Sequence, residues 1–131
     1  MSLINVTNLT FAYDGSYENI FENVSFQLDT NWKLGFTGRN GRGKTTFLKL
    51  LGRLREPTKG KIILEEKPYG EYSRKDFAKF VATLPQSRTT PQIAARELTE
   101  HGRYPYLDAS RRLKDEDKII VEEALRSTGI L

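Results

Sequence analysis

The stretch Gly38-Arg39-Asn40-Gly41-Arg42-Gly43-Lys44-Thr45-Thr46 decides the reading of this chain. It is a glycine, four residues, then Gly-Lys-Thr, the pattern of a loop that wraps phosphate groups. Glycines let the backbone turn back on itself with positive φ and bring bare N–H groups up to phosphate oxygens, where side chains would obstruct. Beyond the loop, Phe47, Leu48, Leu50, Leu51 and Leu54 recur at helical spacing, with Gly52 the weak point before Pro57 and Gly60 end the segment. A helix therefore starts at the loop, and its unpaired first N–H groups and positive dipole end favour an anion. Before the loop, Trp32 to Thr37 reads as a short strand. Strand, glycine loop and amphipathic helix in that order separate a phosphate cradle from a glycine-rich turn that matches by chance. In such a cradle Lys44 would set its ammonium on the β- and γ-phosphates of a nucleoside triphosphate. The Thr45 hydroxyl would complete the coordination of a Mg²⁺ ion held by those phosphates, and Thr46 would support the β-phosphate side.

Working outward, Ile4 and Val6, then Leu9, Phe11 and Tyr13, alternate with a change of parity near Thr7 and Asn8, which predicts an extended segment with a bulge. Val24, Phe26 and Leu28 alternate cleanly, and the turn-prone Asp14-Gly15-Ser16 lies between the two runs, so an antiparallel pair opens the chain. Lys61 to Glu65 and Val81 to Leu84 read as strands. Ser73 with Asp76 resembles a capping box opening a helix to about Phe80. Pro91 is placed to begin a helix through Glu100 that Gly102 terminates. A last helix starts near Asp115, puts Ile120 and Ala124 on one face with Val121 and Leu125 beside them, and ends at Gly129.

Composition narrows the classes. The 131 residues are one domain's length, and 37% hydrophobic content is that of a folded chain. The net charge of +4 is spread along the sequence, which favours a solvated surface over a nucleic-acid footprint. Without cysteine there are no disulfides or thiolate metal sites, and His101 alone makes no histidine cluster. No apolar run is long enough to span a bilayer, no leader pattern opens the chain, and nothing marks a linker or second domain. The expected location is cytoplasmic, without direct membrane insertion.

Three further features carry a resemblance to the nucleotide-binding domain of ATP-binding-cassette (ABC) ATPases. They are Phe11-Ala12-Tyr13 after the first strand, the inner Asn40-Gly41 of the loop, and Val81-Ala82-Thr83-Leu84-Pro85-Gln86. The resemblance implies an α/β fold of the P-loop NTPase class with an N-terminal antiparallel β subdomain, the Walker A loop, a Q-loop and the start of a helical subdomain. It implies ATP and Mg²⁺ as ligands, with Gly38, Asn40, Gly41, Gly43, Lys44, Thr45 and Thr46 around the phosphates. Tyr13 would stack on adenine, with Tyr17 as its competitor, although periodicity alone makes Tyr13 a packed hairpin residue. Gln86 would reach the Mg²⁺ or the attacking water and act beside Lys44 in catalysis. Within the family, residues 2 to 51 look like the ABC-F proteins, which lack membrane domains and include ribosome-associated factors. Residues 55 to 131, with Tyr72-Ser73-Arg74-Lys75 and Gly102-Arg103-Tyr104-Pro105-Tyr106, look like the ATPases of iron-siderophore and cobalamin importers. A fusion of two cassette genes is one account of that division.

Hydrolysis in this family also needs a Walker B acid pair, a signature loop with Gly-Gly and a switch histidine. The sequence has no adjacent glycines, and His101 precedes any Walker B position. Ile62-Ile63-Leu64-Glu65-Glu66 falls too early to be Walker B, and Ile119-Ile120-Val121-Glu122-Glu123 has helical periodicity. By resemblance, the chain ends inside the helical subdomain and leaves its phosphate-loop strand with an open edge, so instability, self-association or a compensating partner is expected. The implied whole is an importer ATPase in which a second cassette subunit and membrane permease subunits are partners, at the inner face of the membrane. The alternatives are a ribosome-bound factor or a fragment that binds nucleotide without turnover. A GTPase would show an Asn-Lys-x-Asp guanine reader, which is absent.

Overall fold

The predicted parity change near Asn8 is a real kink in the first strand. In β1 (Leu3–Phe11) the buried residues are Val6, Leu9 and Phe11, and the three-residue step from Val6 to Leu9 is made by Asn8 in the left-handed region at φ 50°. Asn8 donates its N–H to Ser25 Oγ at 2.8 Å, which satisfies a backbone group the ladder cannot reach. β2 (Phe21–Asp29) pairs antiparallel with β1 from Leu3↔Asp29 to Phe11↔Phe21, as the alternation required. On the other side of β1 runs β3 (Lys59–Leu64), also antiparallel, followed by the two-residue β4 (Lys67–Pro68). The sheet order is β2-β1-β3-β4. These are elements of a computed structural model that describes residues 3–39, 41, 43–84 and 92–131, in two compact units, Met1–Ser73 and Arg74–Leu131.

Helix α1 (Lys44–Leu51) buries Phe47 and Leu50. Phe47 gathers an aromatic cluster, with ring centroids 5.7 Å from Phe21, 5.5 Å from Phe26 and 5.0 Å from Phe36. The helix ends earlier than the leucine pattern suggested. Gly52 is its C-cap and Arg53 takes the left-handed turn at φ 59°. Leu54 N–H then reaches back to the Lys49 carbonyl at 2.8 Å and Arg53 N–H to that of Leu50 at 3.2 Å, a pair of bonds that closes a helix and turns the chain away. Arg53 is retained at this strained position because its guanidinium donates to the carbonyls of Tyr72 at 2.7 Å and Gly70 at 3.3 Å.

Two expected strands are not formed. Trp32 to Thr37 and Val81 to Leu84 carry no ladder, and the four-stranded sheet completes its pairing without them. An extended run becomes a strand only by exchanging backbone hydrogen bonds with a neighbour, and neither segment takes part in the ladders of the described sheet. Much of the apolar pattern is left in solvent, with Trp32 58% and Leu34 61% exposed, while Phe36, 50% exposed, keeps its contact with Phe47.

The hairpin joining β3 to β4 holds Glu65 at φ 58° and Glu66 at φ 87°, between the paired Leu64 and Lys67. Both residues sit where Asn-Gly is preferred, and left-handed backbone costs an ordinary residue roughly 1–2 kcal/mol. Glu65→Asn combined with Glu66→Gly should stabilise the chain by about 1–2 kcal/mol, read as a higher urea midpoint at unchanged slope.

In the second unit α2 (Arg74–Phe80) ends where the sequence indicated, but α3 (Ala95–His101) starts later than Pro91, which lies outside the described residues. Gly102 caps α3 as expected. Helix α4 (Asp115–Ser127) buries Asp117, Val121 and Leu125, leaving Ile119 and Ile120 exposed, so the inward stripe is one residue round from Ile120 and Ala124. A carboxylate sits in that stripe because it is fully paired. Asp117 accepts the Lys114 backbone N–H at 3.0 Å and Arg103 Nε at 2.9 Å, and these bonds, the first foremost, hold its carboxyl below the usual range. Asp108 is held at about 2 against an ordinary 3.8, chiefly by the Ser110 hydroxyl and then by Lys114. Both groups bind a proton less readily folded than unfolded. Their contribution is complete above the ordinary aspartate value and disappears as pH falls through the folded one. Thermal melts should therefore lose stability between about pH 4 and pH 2, and Asp108→Asn with Asp117→Asn should flatten that slope.

Candidate nucleotide-binding site

Helix α1 begins immediately after Gly43, which is its N-cap in the left-handed region at φ 87°. No side chain caps this end and its first turn holds no acid, so its amides and its dipole face no competing carboxylate from the helix itself. Gly43 must be glycine for a second reason. A Cβ there would stand 2.7 Å from Ile20 Cγ2 and 2.9 Å from Phe21 Cζ, because the loop is seated on the start of β2.

Lys44 folds back over the loop. Its ammonium donates to the Gly38 carbonyl at 2.6 Å, tying the two ends of the glycine stretch together. Its stem lies against Gly38, where a Cβ would meet Lys44 Cδ at 3.4 Å. Thr45 is exposed on the first turn, whereas Thr46 is buried. The Thr46 hydroxyl is bonded at 2.6 Å to the phenol of Tyr13, which lies 33 residues away in sequence.

Tyr13 follows the end of β1, and its ring makes a T-shaped contact with Phe11, centroids 5.1 Å apart and planes at 81°. It remains 38% exposed, while Tyr17 is fully exposed. Of the residues singled out in the sequence, Tyr13 is bonded to Thr46 and Lys44 to Gly38, and Gly41, Gly43 and Thr45 lie in the same stretch as the second pair. Asn40 and Gln86 lie outside the described residues.

The sequence reading did not single out Arg55. Its guanidinium lies 4.8 Å over the Tyr13 ring, beside a cavity of about 500 Å³ lined by Phe11, Tyr13, Arg55, Pro57 and Thr58 among others. No motif marks it, since only the turn after α1 carries it there.

An uncapped helix end, a left-handed Gly43 with no room for a Cβ and a lysine bonded back across the glycine stretch fit a nucleoside triphosphate. Among the described residues no group of three or more His, Asp or Glu could hold a metal ion by itself. A Mg²⁺ here would depend on the phosphates, with Thr45 as the adjacent hydroxyl. Of the segments that imitate Walker B, Ile62–Leu64 lies in β3 with Glu65 and Glu66 in its turn, and Ile119–Glu123 lies on α4, where Glu122 pairs with Arg96 at 2.9 Å. His101 ends α3 with its ring 4.8 Å from Tyr104.

The ABC transporter family matches residues 21–131. The chain is similar to the achromobactin transport ATP-binding protein of Dickeya dadantii, 35% identical over 130 residues, which is 98% of this chain and 48% of that protein. It is likewise similar to the ferric enterobactin transport ATP-binding protein of Escherichia coli, 35% identical over 123 residues, 93% of this chain and 45% of that one. Both likenesses run across residues 2–51 as well as 55–131 almost whole. Among solved structures, a Pyrococcus furiosus chain described as an ABC transporter ATP-binding protein superposes with a TM-score of 0.62 at 26% identity, over 76% of this chain and 46% of that one. The chain spans about half the length of the curated relatives it matches.

Proposed function

The chain belongs to the ABC transporter family of ATP-binding proteins, and from that premise we propose that it is the Mg-ATP-binding part of an importer ATPase for a metal chelate of the iron-siderophore kind. One observation carries the reading: the glycine loop feeds the uncapped start of α1 with Lys44 bonded across it and Tyr13 bonded to the same helix through Thr46. The names of the relatives, transporters of achromobactin and ferric enterobactin, support the chelate class.

In this reading Lys44 and the loop amides neutralise the phosphate charge, Tyr13 offers its ring to adenine, and Thr45 with Gln86 flanks the Mg²⁺. Bound Mg²⁺ supplies charge neutralisation between the phosphates. Asn40 and Gly41 complete the cradle. A second cassette subunit would close over the nucleotide and permease subunits would take up the motion, at the cytoplasmic face of the membrane. No described helix is long and apolar enough to cross a membrane, so attachment would run through those partners.

The test is titration of the 131-residue chain with Mg-ATP, together with phosphate release. Saturable binding is expected, with release no greater than that of Lys44→Ala. Failure to bind overturns the nucleotide reading, and robust Lys44-dependent release overturns the absence of turnover. Recovery of the tagged chain with ribosomal particles instead of permease subunits would reject the importer assignment.

A further inference from the structure

We propose that Arg55 is a positioning residue for the base, clamping the Tyr13 ring in the orientation on which a purine stacks; the proposal rests on the nucleotide-binding reading above. Tyr13 is half-exposed at the end of a strand, where a phenol ring on two rotatable bonds would otherwise sample several directions. Three elements remove that freedom. From β1, Phe11 packs on it at 5.1 Å with the ring planes 81° apart; from α1, the Thr46 hydroxyl holds its phenol at 2.6 Å; from the turn after α1, Arg55 covers one face at 4.8 Å.

The arginine is itself placed by its backbone. Arg55 N–H donates to the Lys49 carbonyl at 3.3 Å, extending the bonds that close α1. Its carbonyl accepts the phenol of buried Tyr69 at 3.4 Å. Burial, then the nearby Glu56, pushes that phenol up from its ordinary value, so it stays a donor. Three residues on, Thr58 N–H donates to the Thr10 carbonyl at 2.9 Å and its hydroxyl accepts Ala12 N–H at 3.1 Å. The segment bearing Arg55 is therefore stitched both to the end of α1 and to the end of β1 that bears Tyr13.

With one face of the ring under a guanidinium, a base is directed to the other face. The ordering cost is met before binding, which raises affinity without a new contact to the ligand. Because Tyr13 is also bonded to Thr46, the base platform moves with the helix whose first turn faces the phosphates.

Tripolyphosphate, which has the phosphates and no base, separates this role from a general electrostatic one. The full chain and its Arg55→Ala, Arg55→Lys and Arg55→Gln forms would be titrated with Mg-ATP and with Mg-tripolyphosphate, circular dichroism verifying the fold. Arg55→Ala should lower ATP affinity about three- to tenfold and leave tripolyphosphate within about twofold. Arg55→Lys should recover part of the loss, and Arg55→Gln, of similar length, should behave as alanine does. Equal losses for both ligands, or an ATP affinity that holds or rises, would overturn the proposal. If alanine unfolds the chain, the ATP-to-tripolyphosphate ratio of the glutamine form decides. A wild-type chain that binds neither ligand refutes the nucleotide reading itself, and one that binds both equally refutes the base platform.

Discussion

Lys44→Ala should lower the affinity of the chain for Mg-ATP by about ten- to a hundredfold, the loss expected when charge-assisted hydrogen bonds worth roughly 1.5–3 kcal/mol are removed. The side chain is poised for the exchange. Its ammonium is bonded to the Gly38 carbonyl at 2.6 Å, within the loop. A phosphate replaces that neutral acceptor with a charged one, so the net gain comes from the difference between the two partners. Lys44→Arg keeps the charge and loses the compact ammonium, and should lie between wild type and alanine. Calorimetric titration at fixed salt makes the comparison. Because Lys44 begins α1 and contributes nothing to its buried face, the melting temperature without nucleotide should barely change while the shift produced by Mg-ATP disappears. A Lys44→Ala chain that keeps wild-type affinity would remove the phosphate loop from the site.

The largest loss of stability should come from Gly60→Ala, about 3–5 kcal/mol, enough to leave much of the chain unfolded. Gly60 lies in β3 at φ 86°, and a Cβ there would stand 2.2 Å from the Asn8 carbonyl oxygen and 2.6 Å from that of Thr7. Those are backbone atoms of the β1 kink, so no side chain can rotate aside. The ladder between Thr7↔Lys61 and Thr10↔Lys59, already shifted in register at this point, would have to part. Gly70→Ala is the matched control, having nothing within 4 Å of the added Cβ and no positive φ. It should melt within about 0.5 kcal/mol of wild type by circular dichroism. Similar melting of the two variants would mean that β1 and β3 do not meet as described.

Those two residues mark how far the sequence could be read. The Gly43-Lys44-Thr45 pattern was legible because such a loop is local: a left-handed glycine, a lysine and the start of a helix follow one another in the chain. The β1 kink was equally legible, since a bulge changes the parity of an alternating pattern wherever it falls. Gly60 carried no such sign. Its requirement comes from the Asn8 backbone more than fifty residues earlier, and only strand pairing brings them together.

The two missing strands have the same origin. Trp32, Leu34 and Phe36 have the spacing of a strand, but a ladder requires a neighbour, which periodicity within a segment does not contain. On α4 the sequence located the helix and set Val121 and Leu125 beside Ile120 and Ala124, and the structure buries the first pair together with Asp117. Hydrophobicity favoured Ile120, whereas the hydrogen bonds of Asp117 to Lys114 and Arg103 made a carboxylate acceptable inside.

Taken by itself, the sequence determined the glycine loop, the helix after it and the kinked antiparallel pair before it, all consequences of short-range backbone preference and periodicity. Only the tertiary structure decided that Tyr13 meets Thr46 across 33 residues and lies under Arg55, because contacts between distant segments depend on which surfaces pack together. The glycine loop and its lysine are thus written in one stretch of chain, and the surroundings of Tyr13 are assembled from three.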